Sequence, residues 1–154
     1  MGVDTFGFDQ IGNVMKNITK NLPKELDRAV ARSAHVVQAN VVKNIRDQKG
    51  DWPDLNEKYR EQKQIRGNSP QMLISGHRGG KNPTPPSPYF TSFEVAKISD
   101  GNYAVGSDYP QARALEYGYE DNGLPARPHV EPAVEDSREF HANEIKEAVM
   151  RSKS

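Results

Sequence analysis

Four histidines, His35, His77, His129 and His141, are the residues from which acid–base or metal chemistry in this chain would have to start. His141 stands three residues before Glu144 on a predicted helix, a spacing that presents two ligands on one face, and His129 lies near Glu131 and Glu135. A metal or hydrolytic centre needs a second such pair, and none of helical spacing completes it. The histidines therefore read as surface or capping groups, with no catalytic residue, metal or cofactor expected. Ser75 to Gly80, SGHRGG, has glycines that let backbone N–H groups converge on an oxyanion, with His77 and Arg78 as further donors. It lacks the Lys-Ser/Thr ending of a phosphate loop, and Pro83, Pro85 and Pro86 interrupt any helix behind it, so a flexible loop is the better reading.

Glu116 and Arg127 suit a structural bond better than a chemical one. Pro128 biases Arg127 to an extended backbone and directs its guanidinium outward from a rigid segment. A bidentate bond to Glu116, at the end of a short predicted helix, would fasten the PARP loop (Pro125 to Pro128) to that helix. The alternative leaves both side chains exposed and unpaired. Trp52, the sole tryptophan, reads equally as a core or an interface residue. Tyr117 and Tyr119 flank Gly118 and offer either aromatic contact area or ordinary packing at a helix end. Leu55, Tyr59 and Pro128 complete the set of interface or structural candidates.

The elements that must hold these residues follow from periodicity. Phe6 to Phe8 reads as a short strand, after which Asp9 caps a helix with Ile11, Val14, Met15, Ile18 and Leu22 on one face. A longer helix runs from about Pro23 to Asp47, begun at Asn21 or Leu22, with Leu26, Ala29, Val30, Ala34, Val37, Val41 and Ile45 as its stripe. Val42 falls off that stripe and reads as a singly exposed apolar residue or a subunit contact. Gly50 and Asp51 end the helix, and Trp52-Pro53-Asp54-Leu55 leads into a short charged one from about Asn56 to Arg66, where only Tyr59 and Ile65 suit a core. Met72 to Ile74 is a strand or a helix end.

Ser75 to Pro88 is a long Pro/Gly-rich loop, predicted to be mobile in the free subunit. Tyr89 to Ile98 reads as a strand with Phe93 and Val95 alternating, turning at Asp100-Gly101-Asn102 into Tyr103 to Gly106. Asp108 as a cap, Pro110 in the first turn and Gly118 past the end predict a short helix. A second long helix spans about Glu131 to Arg151, with Pro132 in its first turn and Val134, Phe140, Ile145, Ala148 and Val149 as packing residues. The fold class is α+β: two long helices in the N- and C-terminal parts plus a shorter helix around a small antiparallel sheet. Residues 1–154 form a single domain, with 152–154 as a disordered tail. So small a sheet has exposed edges, which invite pairing with another chain.

Leu, Ile, Val and Phe make up 30 of the 154 residues, a share at which disorder arises when net charge is also high. Here 21 basic residues balance 21 acidic ones, so the reading is a lean core plus mobile segments, ordered in part by neighbouring subunits. Neutral charge also removes the simplest argument for a nucleic-acid or anionic-membrane partner. The absence of cysteine excludes disulfides and thiolate metal sites, and no segment approaches the roughly 20 apolar residues of a membrane span.

From Trp52 to Asp136 the motifs W-x-x-L (Trp52, Leu55), L-x-S-G (Leu73 to Gly76), V-G-S (Val105 to Ser107), E-Y-G (Glu116 to Gly118) and L-P-A-R-P (Leu124 to Pro128) occur in order. That order resembles the minor-tail or tail-completion proteins of virion morphogenesis in long-tailed bacteriophages. The proline-rich stretch after Gly76 departs from the family, where a short apolar return leads to the first strand. The resemblance implies a structural virion protein, not an enzyme, acting in tail completion or head-tail joining at the neck. Its partners would be copies of itself in a ring and other phage neck or tail proteins, with no membrane and no specific nucleic-acid binding. It would be made in the host cytoplasm and end in the virion. Side-to-side contacts, strand-edge pairing and a loop that orders on assembly would be its working parts. A tail terminator or tail-assembly chaperone is the nearest alternative. Lys63, Arg66, Arg78 and Lys81 prompt a nucleic-acid-binding module, and His129 or His141 with nearby carboxylates a hydrolase.

Overall fold

The computed structural model describes residues 6–65, 73–74 and 88–153. Helix α1 spans Phe6–Arg46, α2 Glu57–Ile65 and the short α3 Pro88–Thr91. Strands β1 (Phe93–Ser99) and β2 (Asn102–Ser107) follow, then α4 (Ala112–Tyr117), a 3-10 turn at Glu120–Asn122, α5 (Val130–Asp136) and α6 (Arg138–Arg151). The fold is α+β. Among the described residues the sheet is the β1–β2 hairpin alone, antiparallel with Val95 opposite Val105 and Ala96 opposite Ala104. No helix among the described residues is long and apolar enough to cross a membrane.

Helix α1 is the spine. The strand expected at Phe6 to Phe8 and the helix break expected near Pro23 are both absent: 41 residues run as one helix through that proline. The sequence contains the reason, because Ile18 and Leu22 are in phase with Leu26, Ala29 and Val30, so a single periodicity crosses position 23. Pro23 is exposed and denies the Thr19 carbonyl its helical donor, while the Thr19 hydroxyl bonds back to the Met15 carbonyl at 2.9 Å.

Helix α6 runs antiparallel to the spine, and α5 packs against the spine's C-terminal part. Bonds pair Lys49 with Asp136, Asn44 Nδ2 with the His129 carbonyl (3.1 Å) and Asn40 Nδ2 with Ser137 Oγ (2.8 Å). Farther along, Arg32 meets Glu144 (2.6 Å) and Arg151 meets Glu25 (3.1 Å). The single C-terminal helix of the sequence reading is in fact two. Ser137 separates them, its Oγ donating to the Ala133 carbonyl at 2.6 Å while accepting from Asn40. Of the five packing residues expected there, only Ala148 is fully buried; Val134, Phe140, Ile145 and Val149 stay 36–42% exposed. The stripe that faces α1 is instead small and polar: Ser137, Ala148 and Ser152 are buried, with His141 and Glu144 half-buried between them. Small residues let two helices approach closely, and Ala29, in phase with Glu25 and Arg32, supplies the matching surface on α1. Ser152, where the disordered tail was expected to begin, is fully buried, and its N–H bonds to the Ala148 carbonyl at 3.0 Å.

The hairpin lies along another side of the spine. Asp27 accepts from the Gly101 N–H (2.8 Å), Lys97 Nζ (2.9 Å) and the Tyr103 hydroxyl (3.2 Å), pinning the turn, and Gln38 Nε2 donates to the Phe93 carbonyl at 2.6 Å. The core sits where spine, hairpin and α5 meet: Val37, Val41, Ile45, Tyr89, Phe93 and Ala133. Val42, expected to be exposed or a subunit contact, is half-buried against that core. Tyr89 belongs to α3, not to a strand, since β1 begins at Phe93. On α2 the two residues expected to face a core are exposed, Tyr59 at 48% and Ile65 at 85%, while Lys63 is buried. The short helix α4 starts at Ala112 after Gln111, not under a cap by Asp108. The loop expected to be mobile lies, but for Pro88, outside the described residues.

Candidate functional site

Glu116 and Arg127 are both buried, and they do not bond to each other. The expected guanidinium–carboxylate clasp is replaced by two separate fastenings. Gly118, at φ +80°, stops α4 and turns the chain so that residues 124–128 return alongside it, with the Arg127 N–H bonded to the Leu115 carbonyl at 2.8 Å. A Cβ on Gly118 would lie 2.9 Å from the Ala126 nitrogen and 3.0 Å from the Leu124 oxygen, so this return needs glycine.

The Glu116 carboxylate then reaches the start of α5. It accepts from the backbone N–H of His129 (2.8 Å), Val130 (3.1 Å) and Glu131 (3.1 Å), three donors that a helix beginning there leaves without intrahelical partners. A side chain 13 residues upstream thus does the work normally left to a local cap, with its negative charge at the positive end of the helix. Burial acts to raise the Glu116 pKa. Bonds from the His129 imidazole and from the 129, 131 and 130 N–H groups outweigh it and bring the pKa down to about 2.

His129, read from sequence as a surface or capping residue, is fully buried at the first turn of α5. Its Nδ1 lies 2.7 Å from the Arg127 carbonyl and 3.0 Å from Glu116 Oε2, both acceptors, which assigns the hydrogen to Nδ1 and leaves Nε2 to accept from the Tyr89 hydroxyl. The Tyr89, Phe93 and His129 rings meet edge-on at centroid distances of 5.3–5.9 Å. A tyrosine–histidine–carboxylate line of this kind is a familiar geometry for moving protons. Here, however, Tyr89 is only 3% exposed and its hydroxyl is held well above the ordinary range, first by burial and then by the Glu116 charge. A hydroxyl that is covered and reluctant to ionise is a poor nucleophile, and its bond to His129 ties α3 to the start of α5. The other histidines do not join that line: His35 is exposed, His141 lies between α1 and α6, and His77 is outside the described residues. Among the described residues no group of three or more His, Asp or Glu is placed to hold a metal.

No protein-family model matches the chain, and no curated protein or solved structure does so significantly.

Trp52 and Leu55 are buried within the chain, and the remaining candidates gather around them. Trp52 Nε1 donates to the Pro128 carbonyl at 3.1 Å, and Arg127 Nη2 donates to the Pro53 carbonyl at 3.1 Å, so the 52–55 segment and the 124–128 loop are stitched together across more than 70 positions. Gly50, at φ +151°, leaves room for the Trp52 indole, which a Cβ there would strike at 2.6 Å. Beside the stitch opens a cleft of about 620 Å³, lined by Leu55, Tyr59, Ile74, Leu115, Leu124 and Arg127 among others. Tyr89, His129 and Glu116 do not line it. Tyr117, in contrast, is 77% exposed and contributes nothing to the stitch. Lys63, which the sequence offered only as one of a basic cluster, is buried on α2 with its ammonium 5.7 Å from the Tyr59 ring centre.

Proposed function

We propose that the chain is a non-catalytic structural protein of a tailed phage virion, working in tail completion or head-tail joining at the neck as part of an oligomeric ring. The observation that carries this reading is the ordered motif series from Trp52 to Pro128, of which W-x-x-L, E-Y-G and L-P-A-R-P are distant in sequence and adjacent in space. W-x-x-L and L-P-A-R-P are stitched through Trp52 and Arg127, and E-Y-G supplies the carboxylate that starts α5. A motif series that builds one structural unit is consistent with selection for a shape and not for a reaction. Two surface features support assembly: a hairpin with open edges among the described residues, and apolar side chains left uncovered on α1 and α6.

The test is genetic. A nonsense mutation in the gene within its phage should give filled heads and finished tails that fail to join, visible by electron microscopy, and mass spectrometry of wild-type particles should find the chain. Normal infectious particles from the mutant would end the proposal. Morphogenesis that fails although the chain is absent from wild-type particles would favour a tail-assembly chaperone.

A further inference from the structure

We infer that the cleft between α2 and the 124–127 loop is a binding site for a carboxylate carried on an apolar group, with Arg127 as its anchor. Arg127 is 2% exposed and lines the cleft, yet of its five N–H donors the bond from Nη2 to the Pro53 carbonyl is the one side-chain hydrogen bond seen among the described residues. Its Nε is buried and has no partner among them. Nor does any described carboxylate pair with the guanidinium: Glu116 spends its oxygens on α5 and His129, and Asp54, which also lines the cleft, lies 3.6 Å from Arg60 with its side chain 86% exposed.

A buried cation without a counter-ion among the described residues is costly, and the Lys63 ammonium stands near it. Lys63 is buried, and its pKa is lowered first by burial and then by the charge of Arg127. The guanidinium, unpaired among the described residues, creates a positive potential that an entering anion relieves. A guanidinium edge with a free Nε–H matches a carboxylate. The apolar part of the ligand is set by the walls, since Leu55, Ile74, Leu115, Leu124 and Pro125 line the same space and its volume falls in the range of small-ligand sites.

The measurement is a titration of the whole chain with hexanoate, followed through the arginine Nε–H resonances. Hexanoate should shift the Arg127 Nε–H and slow its exchange with water, saturably, whereas hexanamide should have at least tenfold weaker effect. Arg127→Gln should abolish binding, and because that variant loses the Pro53 bond as well, the wild-type Nε–H signal is the deciding readout. No saturable shift with hexanoate, or equal shifts with both compounds, would overturn the site. An acidic side chain of a partner polypeptide and a free carboxylic acid share this chemistry. Tighter binding of N-acetyl-Leu-Glu-Leu-amide than of hexanoate assigns the first source and the reverse order the second; binding of neither rejects the site.

Discussion

At the scale of single residues, the position that does most for this molecule is Glu116. Its pKa is held at about 2 against an ordinary 4.5, so its folded form binds a proton less readily than its unfolded form. The stabilisation is therefore complete above about pH 5 and is lost as pH falls from there toward 2. A depression of that size corresponds to about 3 kcal/mol. Glu116→Gln, which keeps the shape and removes the charge, is expected to lower urea-unfolding stability by about 2–3 kcal/mol at pH 7, and the gap to wild type should shrink steadily below pH 5. A gap independent of pH would show that packing, not charge, accounts for the loss. Gly118→Ala tests the neighbouring turn. With φ +80°, ψ 172° and backbone atoms 2.9 and 3.0 Å from the new Cβ, it should cost about 1–3 kcal/mol in the same assay, and a neutral result would mean the return loop can shift at no cost. Sequence pointed to both residues and to Arg127, but not to their bonds. The pairing of Glu116 with Arg127 was the natural guess from charge, yet backbone N–H groups at a helix start compete for the same carboxylate, and nothing in a linear sequence announces a cap 13 residues away. His129 was missed for a related reason: its neighbours Pro128 and Glu131 suggest a surface turn, and its burial depends on Tyr89, 40 positions earlier.

Among elements, periodicity was legible wherever a helix packs through large apolar residues and misleading where it does not. The Leu26 to Ile45 stripe of α1 was readable because Val37, Val41 and Ile45 enter the core. The stripe of α6 was not, because serine, histidine, glutamate and alanine line it and the larger Ile145 and Val149 flank it. Pro23 misled in the other direction, since a helix-breaking residue was weighed above the unbroken phase of its neighbours. Its cost is real nonetheless, as proline removes one helical bond and crowds the preceding turn. Pro23→Ala should strengthen α1. Residues 10–16 are all exposed, so little among the described residues would transmit the gain to the core. The expected outcome is slower amide exchange over residues 10–22 with little change in the thermal midpoint. An unchanged exchange pattern would mean that Pro23 does not limit that half of the helix.

For the whole molecule, length sets the argument. At about 1.5 Å per residue, α1 is about 60 Å long, while a compact chain of this size has a radius of gyration of about 15 Å. The spine must therefore overhang the rest. The Lys153 carbonyl, just past α6, accepts from Asn17 Nδ2, and on the N-terminal side of that contact Ile11, Val14 and Met15 are 62%, 41% and 60% exposed. Apolar side chains in phase on one overhanging face have no partner within the described residues, and in a ring the neighbouring copy is the occupant this reading requires. The double substitution Ile11→Glu with Met15→Glu should reduce self-association measured by light scattering across a concentration series. Because neither side chain contributes to the core, the thermal midpoint at low concentration should move little, in keeping with surface changes of about 0.5 kcal/mol or less. Unchanged association would show that this face is not a contact between copies. A large fall in the midpoint would mean instead that the overhang folds back on its own chain.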